Sequence, residues 1–492
     1  MPYREIGSSI EEFFNELRLL VTTIPFARTF PTLAIHPNTS NNINKLLTSS
    51  NMYKITSSSL PIDWNCFMSV TLEELDPERQ QKAREYARIR HRLLLVDLGI
   101  ATAGIVIVLF SGIGIWLRDA LHPLGWRPIP GWFPWQVLLY FLALMLSYQL
   151  ISAPLTYYSS YVLPHRYGLS TLSLKNWLLD LFKGLALSLV FEAFVVELVY
   201  LLLATQPQTW WLWVAAVLLF FSVVMANLAP VLILPLFYKF SRLPEGELAQ
   251  RLLALAERAH TRVRGVFTMH LSSKTTAANA ALMGLGNTRR IVLGDTMLDR
   301  YTTDEIEVVL AHELGHHVHR DLWKLIISQS LLTLIGLYLI NLVLHWAVET
   351  QHYYPGLADA ATMPLVLLLT AAFGLIIMPL SNGYSRSIEY QADEYALQST
   401  QKIEPFKSAM TRLANQNLAD VEPSPLIEFL LHDHPSIGKR MKHADEFAAH
   451  HGPAAQGSES RASLSAPSSE AASSTGPAGI ASSGSSTPDA AH

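Results

Sequence analysis

Six apolar runs in this 492-residue chain are each long enough to cross a lipid bilayer. A helix rises about 1.5 Å per residue, so roughly 20 apolar residues span a hydrocarbon core of about 30 Å. Lipid cannot satisfy backbone hydrogen bonds, and such runs therefore fold as helices. The runs lie at residues 93–117, 134–155, 184–205, 210–232, 323–347 and 363–380. The sequence predicts a mainly α, polytopic helical membrane protein.

The composition agrees with helices buried in lipid. Hydrophobic residues make up 50% of the chain and charged residues 15%, which is more apolar than an ordinary soluble enzyme. The net charge of −4 gives no reason to expect a nucleic-acid partner. Because Cys66 is the single cysteine, an intramolecular disulfide and a Cys-based zinc cluster are both excluded.

Residues 312–316 read H-E-x-x-H, a spacing that places His312 and His316 on one face of a helix with Glu313 between them. Zinc binds neutral imidazole nitrogens at about 2.0–2.1 Å, so both rings reach one ion without backbone strain. Glu313 is then free to act as a base. The motif predicts one hydrolytic zinc ion per chain.

Basic residues before the first apolar run set the orientation. They are Lys82, Arg84, Arg88, Arg90 and Arg92. By the positive-inside rule they hold the N-terminus in the cytoplasm. Six crossings then place residues 233–322 and all residues after 380 on that same side. The sixth run is short and ends at Pro379, so a re-entrant segment is the alternative there.

This topology limits where a third zinc ligand can lie, and the segment after residue 380 offers one. Its apolar residues recur at helical spacing, and Glu389 and Asp393 lie four residues apart on one face. We predict Glu389 as the third ligand, with Asp393 accepting the second-nitrogen proton of a ligating histidine. The alternative is a solvated helix in which Arg386 pairs with Glu389 or Glu394.

The chain resembles the integral-membrane zinc metallopeptidases that include CAAX prenyl protease 1 and the bacterial heat-shock membrane protease, and it is closer to the CAAX prenyl protease 1 branch. The resemblance rests on seven blocks in order: 154–183, 235–248, Asn279-Ala280, 290–296, the H-E-x-x-H helix, the segment from Asn382 to Asp393, and His434-Pro435 with Arg440. It implies His312, His316 and Glu389 as zinc ligands and Glu313 as catalytic acid and base. It also implies a ring of spans around a water-filled chamber.

Two features depart from the prenyl-protease branch. Those proteases carry a histidine five residues after the second zinc ligand, whereas this chain has Asp321, as the heat-shock branch tends to. The eukaryotic enzymes also have a seventh span near the N-terminus, and residues 1–92 contain no run of sufficient length. The expected substrate is the C-terminus of a prenylated CaaX-type protein. The alternative is misfolded membrane protein.

Residues 265–295 contain short apolar runs that predict a small β-sheet before the zinc helix. Asn279 and Ala280 would lie on its edge, where an extended peptide is bound by backbone hydrogen bonds. An ordinary edge strand with a turn asparagine is the alternative. The resemblance places His434 and Arg440 near the zinc, where either is expected to stabilise a developing oxyanion.

Other ionisable residues receive simpler interpretations. His317, His319 and His432 are treated as structural or solvent-facing. Carboxylates within the predicted spans should face a polar interior; these are Asp97, Glu192 and Glu197. A transporter or channel scaffold would also bury carboxylates, but it leaves the zinc motif unexplained.

The predicted organisation has six parts. They are a cytoplasmic segment at 1–92, spans one to four at 93–232, the first peptidase part at 233–322, spans five and six at 323–380, the second peptidase part at 381–451, and a disordered tail at 452–492. The tail is rich in Ser, Ala, Gly and Pro and cannot bury a core. Composition favours a bacterial inner membrane over the endoplasmic reticulum, with the active site facing the cytoplasm.

Overall fold

The computed structural model describes residues 74–122, 135–284 and 286–451. Up to Asp445 these residues belong to one compact unit, and Glu446–His451 belong to a second. Predictions for residues 1–73, including Cys66, and for the tail at 452–492 lie outside the described residues.

The first half of the described chain consists of long helices. In chain order they are α1 (Pro77–Phe110), α2 (Ile113–Leu121), α3 (Trp135–Arg166), α4 (Leu174–Thr205) and α5 (Trp210–Phe237). Both α3 and α5 contain one wider π-helical turn, at Tyr158–Val162 and Ala229–Ile233.

The second half begins with a small sheet and continues with helices. The elements are β1 (Phe240–Arg242), α6 (Glu247–Arg258), β2 (Val266–Met269), β3 (Ala280–Met283), β4 (Arg290–Gly294), α7 (Asp295–Leu298), α8 (Thr303–Val318), α9 (Asp321–Thr350), α10 (Met363–Thr400), α11 (Ile403–Asn417), α12 (Pro425–Leu431) and α13 (Ile437–His451). The helix α8 carries the H-E-x-x-H motif.

Six helices of the described chain are long and apolar enough to cross a membrane: α1, α3, α4, α5, α9 and the helix that contains α10. This confirms the predicted polytopic helical fold. Large apolar side chains on these helices face outward, and Phe110, Leu150, Phe220 and Ile376 are 77%, 77%, 70% and 71% exposed. Such surfaces are stable in lipid, where outward apolar groups need no burial by protein.

Polar contacts join the spans at the buried side of the bundle. Trp210 donates its indole N–H to Asn341 Oδ1 at 2.7 Å, and the Tyr200 hydroxyl lies 2.9 Å from Thr362 Oγ1. Around them, Tyr140, Trp210 and Leu344 are fully buried in one apolar cluster. These contacts fix the helices that support the peptidase part.

Two helices have limits that differ from those of the apolar runs within them. The first helix begins at Pro77 instead of residue 93, because Asp76 caps it by accepting the N–H groups of Glu78 and Arg79, and Pro77 suits the first helical turn. The basic residues assigned to a separate cytoplasmic segment therefore belong to α1. The same helix ends at Phe110 and not at residue 117.

The helix that contains the sixth span continues beyond Pro379. The helix α10 runs through that proline to Thr400, so the predicted boundary at residue 380 falls inside one 38-residue helix. A proline inside a membrane-associated helix is tolerated when neighbouring groups satisfy the freed carbonyl. The apolar span and the segment with Glu389 are therefore a single element.

The predicted small sheet is confirmed, with strand order β1-β2-β4-β3. The strands β2 and β4 are parallel, whereas β1 pairs with β2 and β3 with β4 in antiparallel fashion. This order leaves β3 at one edge. Ala280, the first residue of β3, lies opposite Leu293 of β4.

The start of α1 is attached to the peptidase part. Arg79 Nε donates to the Asn415 carbonyl at 2.6 Å, and Gln80 exchanges hydrogen bonds with the backbone of Ala419 and Val421. The basic end of the first span is thereby held beside the segment that follows α11.

Candidate metal centre

Three side chains from two helices converge at the centre of the site. His312 and His316 come from α8, and Glu389 comes from α10. The two Nε2 atoms are 3.2 Å apart, His312 Nε2 lies 3.4 Å from Glu389 Oε2, and His316 Nε2 lies 3.3 Å from Glu389 Oε1. Ligands about 2.0–2.1 Å from a tetrahedral zinc ion are separated by roughly 3.3 Å. The triangle therefore has the dimensions of a zinc site.

Glu389 provides an independent test of whether a cation fits. It is 1% exposed, and its Oε2 atom has no hydrogen-bond partner among the described residues. A buried carboxylate oxygen without a donor is costly, and a metal ion removes that cost. Two imidazoles and one carboxylate are also a common donor set of catalytic zinc sites.

Gly315 allows the two ligand-bearing helices to approach. A Cβ atom at this position would lie 3.1 Å from Ala392 Cα and 3.2 Å from Tyr395 Cβ, both on α10. Those separations are tighter than ordinary van der Waals contact, so a larger residue would push α8 away from α10. Glycine inside the motif thus brings Glu389 within reach of the histidines.

Asp393 holds His312 from behind. Its Oδ1 atom lies 2.9 Å from His312 Nδ1, which leaves Nε2 directed at the triangle. Arg440 lies behind Asp393, with its Nε 2.8 Å from Asp393 Oδ2 and its Nη2 3.2 Å from His312 Nδ1. Asp393 therefore occupies the position predicted for an acceptor of the second-nitrogen proton.

The expected role of Arg440 as an oxyanion donor does not fit this geometry. Its side chain is 3% exposed and forms a two-point ion pair with Asp393, on the Nδ1 side of His312. A donor to the substrate would have to lie on the Nε2 side, where the triangle is. Arg440 is a positioning residue that neutralises and orients Asp393.

Asp321 contacts the Nδ1 atom of His316, as Asp393 contacts that of His312. This role of Asp321 was not predicted from the sequence. Its Oδ2 atom lies 3.0 Å from His316 Nδ1, and its Oδ1 atom accepts from Lys324 Nζ at 2.7 Å. The residue is 2% exposed. The signal was present, because Asp321 is the residue where this chain departs from the prenyl-protease pattern.

Glu313 lies between the histidines and the edge strand. The backbone of Leu282 in β3 hydrogen-bonds to Glu313. Burial raises the pKa of the Glu313 carboxyl, although the neighbouring histidines oppose this effect. A base with a pKa nearer to neutrality is better matched to proton transfer at physiological pH.

His434 reaches the same centre from the loop after α12. Its Nε2 lies 3.2 Å from Glu389 Oε1, and its Nδ1 lies 3.1 Å from Asp433 Oδ1. Burial lowers the pKa of His434, but the carboxylates of Glu389 and Asp433 outweigh burial and hold that pKa well above its usual value. An imidazolium in this position has an N–H directed at the triangle.

Three anchors fix the loop that carries His434. Arg386 donates to the carbonyl groups of Glu428 and His432, and Asn382 Nδ2 donates to Leu430 O at 2.8 Å. The Glu428 carboxylate accepts from the Ser436 N–H at 3.1 Å and from Lys439 Nζ at 2.8 Å. The alternative in which Arg386 pairs with Glu389 or Glu394 is therefore wrong.

The structure places Ala280 on the edge strand and Asn279 just before it. The Asn279 carbonyl accepts the Gly294 N–H at 2.8 Å, and Asn417 brackets the preceding Ala278 with two hydrogen bonds. The contact between Leu282 and Glu313 shows that this edge runs beside the metal triangle. A peptide added to β3 would pass the site.

The remaining ionisable residues stay outside the triangle. Burial lowers the pKa of His317 and of His319, and it lowers the pKa of His432 to about 4. Among the carboxylates of the spans, Asp97 accepts from the Tyr148 hydroxyl at 3.0 Å, whereas Glu192 and Glu197 are each 4% exposed.

Comparison with known proteins agrees with the fold and with a metalloprotease. Residues 65–239 match the family model described as CAAX prenyl protease N-terminal, five membrane helices, and residues 242–448 match the model of peptidase family M48. The CAAX prenyl protease 1 of Saccharomyces cerevisiae is 29% identical over 402 residues, covering 76% of this chain and 87% of the relative. An uncharacterized metalloprotease of Bacillus subtilis, YhfN, is 28% identical over 375 residues with the same coverage.

A solved structure has the same architecture. The crystal structure of S. mikatae Ste24p matches with a TM-score of 0.67 and 25% identity, covering 77% of this chain and 92% of that one. In the part of the chain that the structure describes, six membrane-length helices, a small sheet and a His-His-Glu triangle define a multi-pass membrane metalloprotease. The chain belongs to peptidase family M48, in the branch of the CAAX prenyl proteases. A transporter or channel scaffold is thereby set aside.

Proposed function

We propose that this protein is a zinc endopeptidase that cuts near the C-terminus of prenylated CaaX-type proteins. The observation that carries the proposal is the triangle of His312, His316 and Glu389, with edges of 3.2–3.4 Å, beside the edge strand β3. The substrate class is supported by relatives named CAAX prenyl protease 1 that align over about three quarters of this chain.

Each residue of the site has one task in this mechanism. Zinc held by His312, His316 and Glu389 would supply an activated water and polarise the scissile carbonyl. Glu313 accepts a proton from that water and later gives it to the leaving amine. Its raised pKa suits both steps, because the same carboxyl must take up and release a proton within one turnover.

Two further groups act on the substrate. His434 donates a hydrogen bond to the carbonyl oxygen as negative charge develops there. The strand β3, beginning at Ala280, holds the peptide in an extended conformation by backbone hydrogen bonds, and Asn279 fixes the entry to that strand through Gly294. Asp393 and Asp321 act through the histidines, keeping each Nε2 directed at the triangle in which zinc would be held.

A second substrate class is favoured by one residue. Asp321 stands where the prenyl proteases carry histidine, and the heat-shock branch tends to have aspartate there. Degradation of misfolded membrane proteins is therefore the competing proposal. Both functions use the same chemistry.

The test uses purified protein in detergent and its Glu313→Gln variant. Zinc per chain is measured, and cleavage of a farnesylated CaaX peptide is followed beside an unfolded membrane protein. We expect about one zinc in both proteins and cleavage of the peptide by wild type alone. Cleavage of the unfolded protein but not of the peptide favours the quality-control function. Wild type without zinc, or a variant of unchanged activity, contradicts the mechanism.

We also infer that the active site faces the cytoplasm of a bacterial cell. Support comes from the six Lys and Arg residues at the start of α1, from Arg79 to Arg92, which lie at the end of the span that is attached to α11. Protease protection of the peptidase part in membrane vesicles of known orientation tests the inference. Cleavage from the periplasmic side would contradict it.

A further inference from the structure

A groove of about 460 Å³ lies between the basic start of α1 and the loop that carries His434. The wall on α1 includes Arg84, Arg88 and Arg92, and the opposite wall includes His432, Asp433 and His434. Its volume falls within the range of about 300–1,000 Å³ that ligand sites usually have. The groove is lined by no residue of β3, and one of its walls is the loop that carries His434.

The three arginines form one row. They are spaced at four-residue intervals, so they lie on one helix face and span about 12 Å along its axis. All three are exposed. Within the described ranges none of them has an ion-pair partner, whereas Lys82 on the same helix pairs with Glu78 at 2.6 Å. The row is therefore available to an anionic ligand.

Three carboxylates also line the groove, and two of them have other contacts. Asp433 contacts His434 Nδ1 at 3.1 Å, and Asp420 accepts the backbone N–H of Glu422 at 3.2 Å. Glu422 is exposed. The arginine row thus supplies the positive side of a groove whose opposite wall is the catalytic loop.

We propose that this groove binds the substrate residues that follow the scissile bond, and that the row of Arg84, Arg88 and Arg92 pairs with the free α-carboxylate at the substrate C-terminus. The inference rests on the proposed function. Three extended residues span about 10 Å, which is comparable with the length of the row. Since His434 Nε2 lies 3.2 Å from Glu389 Oε1, an occupant of the groove lies beside the reacting bond.

A lipid phosphate is the competing occupant, because it offers the same negative charge to the arginines. The position of the groove favours the peptide. A lipid headgroup has no reason to sit against His434, whereas a C-terminal segment must leave the catalytic centre on one side. Pairing of a carboxylate with this row would restrict cleavage to positions close to a chain end.

The experiment compares two farnesylated CaaX peptides that differ in one group, a free C-terminal carboxylate or a C-terminal amide. Wild type, the triple variant with Arg84, Arg88 and Arg92 each replaced by Gln, and the control Lys82→Gln are assayed in detergent without phospholipid. For wild type we expect kcat/KM to be about tenfold higher with the acid than with the amide, as for a charge-assisted hydrogen bond. The triple variant should cut both peptides at the amide rate, mainly through a higher KM. Lys82→Gln should behave as wild type.

The outcomes separate this inference from the function beneath it. If wild type cuts neither peptide, the proposed function fails and the inference fails with it. If wild type cuts acid and amide equally, or the triple variant loses both rates alike with zinc retained, the inference alone is overturned. The same assay is repeated in vesicles of anionic phospholipid. If the triple variant matches wild type in detergent but cuts both peptides equally slowly in these vesicles, the arginine row binds lipid and the inference is overturned.

Discussion

The two helices that supply the candidate metal ligands differ in how they are held. The helix α8 is 16 residues long, begins with a reciprocal cap between Thr302 and Glu305, and carries two ligands one turn apart. The helix α10 is 38 residues long, begins in the apolar part of the protein, and carries one ligand near its far end. The spacing within one helix is enough to bring His312 and His316 together. Glu389 reaches them only because α10 packs against α8.

The two carboxylates that contact the histidines, Asp393 and Asp321, have partners that differ in burial. We call these two carboxylates the supports. On α10, Asp393 is fully buried and paired with the buried Arg440. Behind His316, Asp321 pairs with Lys324, whose side chain is 37% exposed. The site therefore depends more strongly on α10, where a lost partner leaves an uncompensated charge away from water.

We expect the largest effects on activity from two substitutions, one of the proposed base on α8 and one of the candidate ligand on α10. Only the second should also remove zinc. Glu313→Gln should lower kcat by about 10²–10⁴-fold with zinc retained, because it removes the proton acceptor but no ligand. Glu389→Gln should lose activity together with zinc. Metal analysis and peptide cleavage on the same preparations check both. Loss of zinc from Glu313→Gln would show that the carboxylate is a ligand instead.

The supports provide the next contrast. Asp321→Asn should weaken zinc affinity by about 10–100-fold, as removal of a hydrogen bond behind a ligand usually does. Asp393→Asn should weaken it more and should also destabilise the fold, because Arg440 remains buried without a counter-charge. Competition with a chelator measures affinity, and thermal unfolding measures stability. Equal effects of the two variants would contradict the comparison.

Widening the gap between the two helices should have a smaller effect than removing a ligand. Gly315→Val places methyl groups against Ala392 and Tyr395, at a cost of about 1–3 kcal/mol for overpacking. Zinc affinity should fall by a corresponding 10–100-fold or so. Gly184→Val is the control, because a Cβ at Gly184 has no neighbour within 4 Å. Unchanged affinity in Gly315→Val would show that the close approach is dispensable.

The smallest effect concerns pH and the anchoring of α8. Asp304 and Glu307 on α8 both contact Arg251 of α6 and Lys402, which precedes α11. Burial raises the pKa of Glu307, but Lys402 and Arg251 outweigh it and lower that pKa, and they lower the pKa of Asp304 as well. A depressed carboxyl pKa stabilises the fold above the unfolded value near 4 and loses that contribution as pH falls through the folded value.

Lys402→Met should therefore lower the free energy of unfolding by about 1 kcal/mol at neutral pH, a small figure because the network is partly solvent-exposed and screened. The difference from wild type should shrink below about pH 4, since the carboxylates are then protonated in both proteins. Thermal unfolding across pH measures it. A difference that is constant with pH would assign the effect to packing.

The comparison also explains what the sequence could predict. His312, Glu313 and His316 form a five-residue motif whose geometry is set by helix periodicity alone. Glu389 followed from helical spacing together with topology, which narrowed the search to one segment. The small sheet and its edge at Ala280 followed from short apolar runs with turn residues between them.

The features that could not be predicted from the sequence depend on contacts between distant segments. The role of Arg440 could not be predicted, because its pairing with Asp393 arises from packing of α13 against α10. The continuation of α10 through Pro379 depends on neighbours that tolerate the proline. Asp321 was noticed as a departure from a pattern, but its contact with His316 requires the turn at Arg320, which adopts a positive φ of 58°.

The continuity of α10 fixes the distance along the helix between the end of its apolar run and the candidate site of peptide cleavage. The apolar run ends near Leu380, and Glu389 follows nine residues later in the same helix, about 14 Å further along its axis. An extended peptide needs about four residues to cover that distance. With the hydrocarbon layer ending where this apolar run ends, we expect a substrate whose lipid is attached closer than this to its scissile bond to be cut only after the lipid has moved out of that layer.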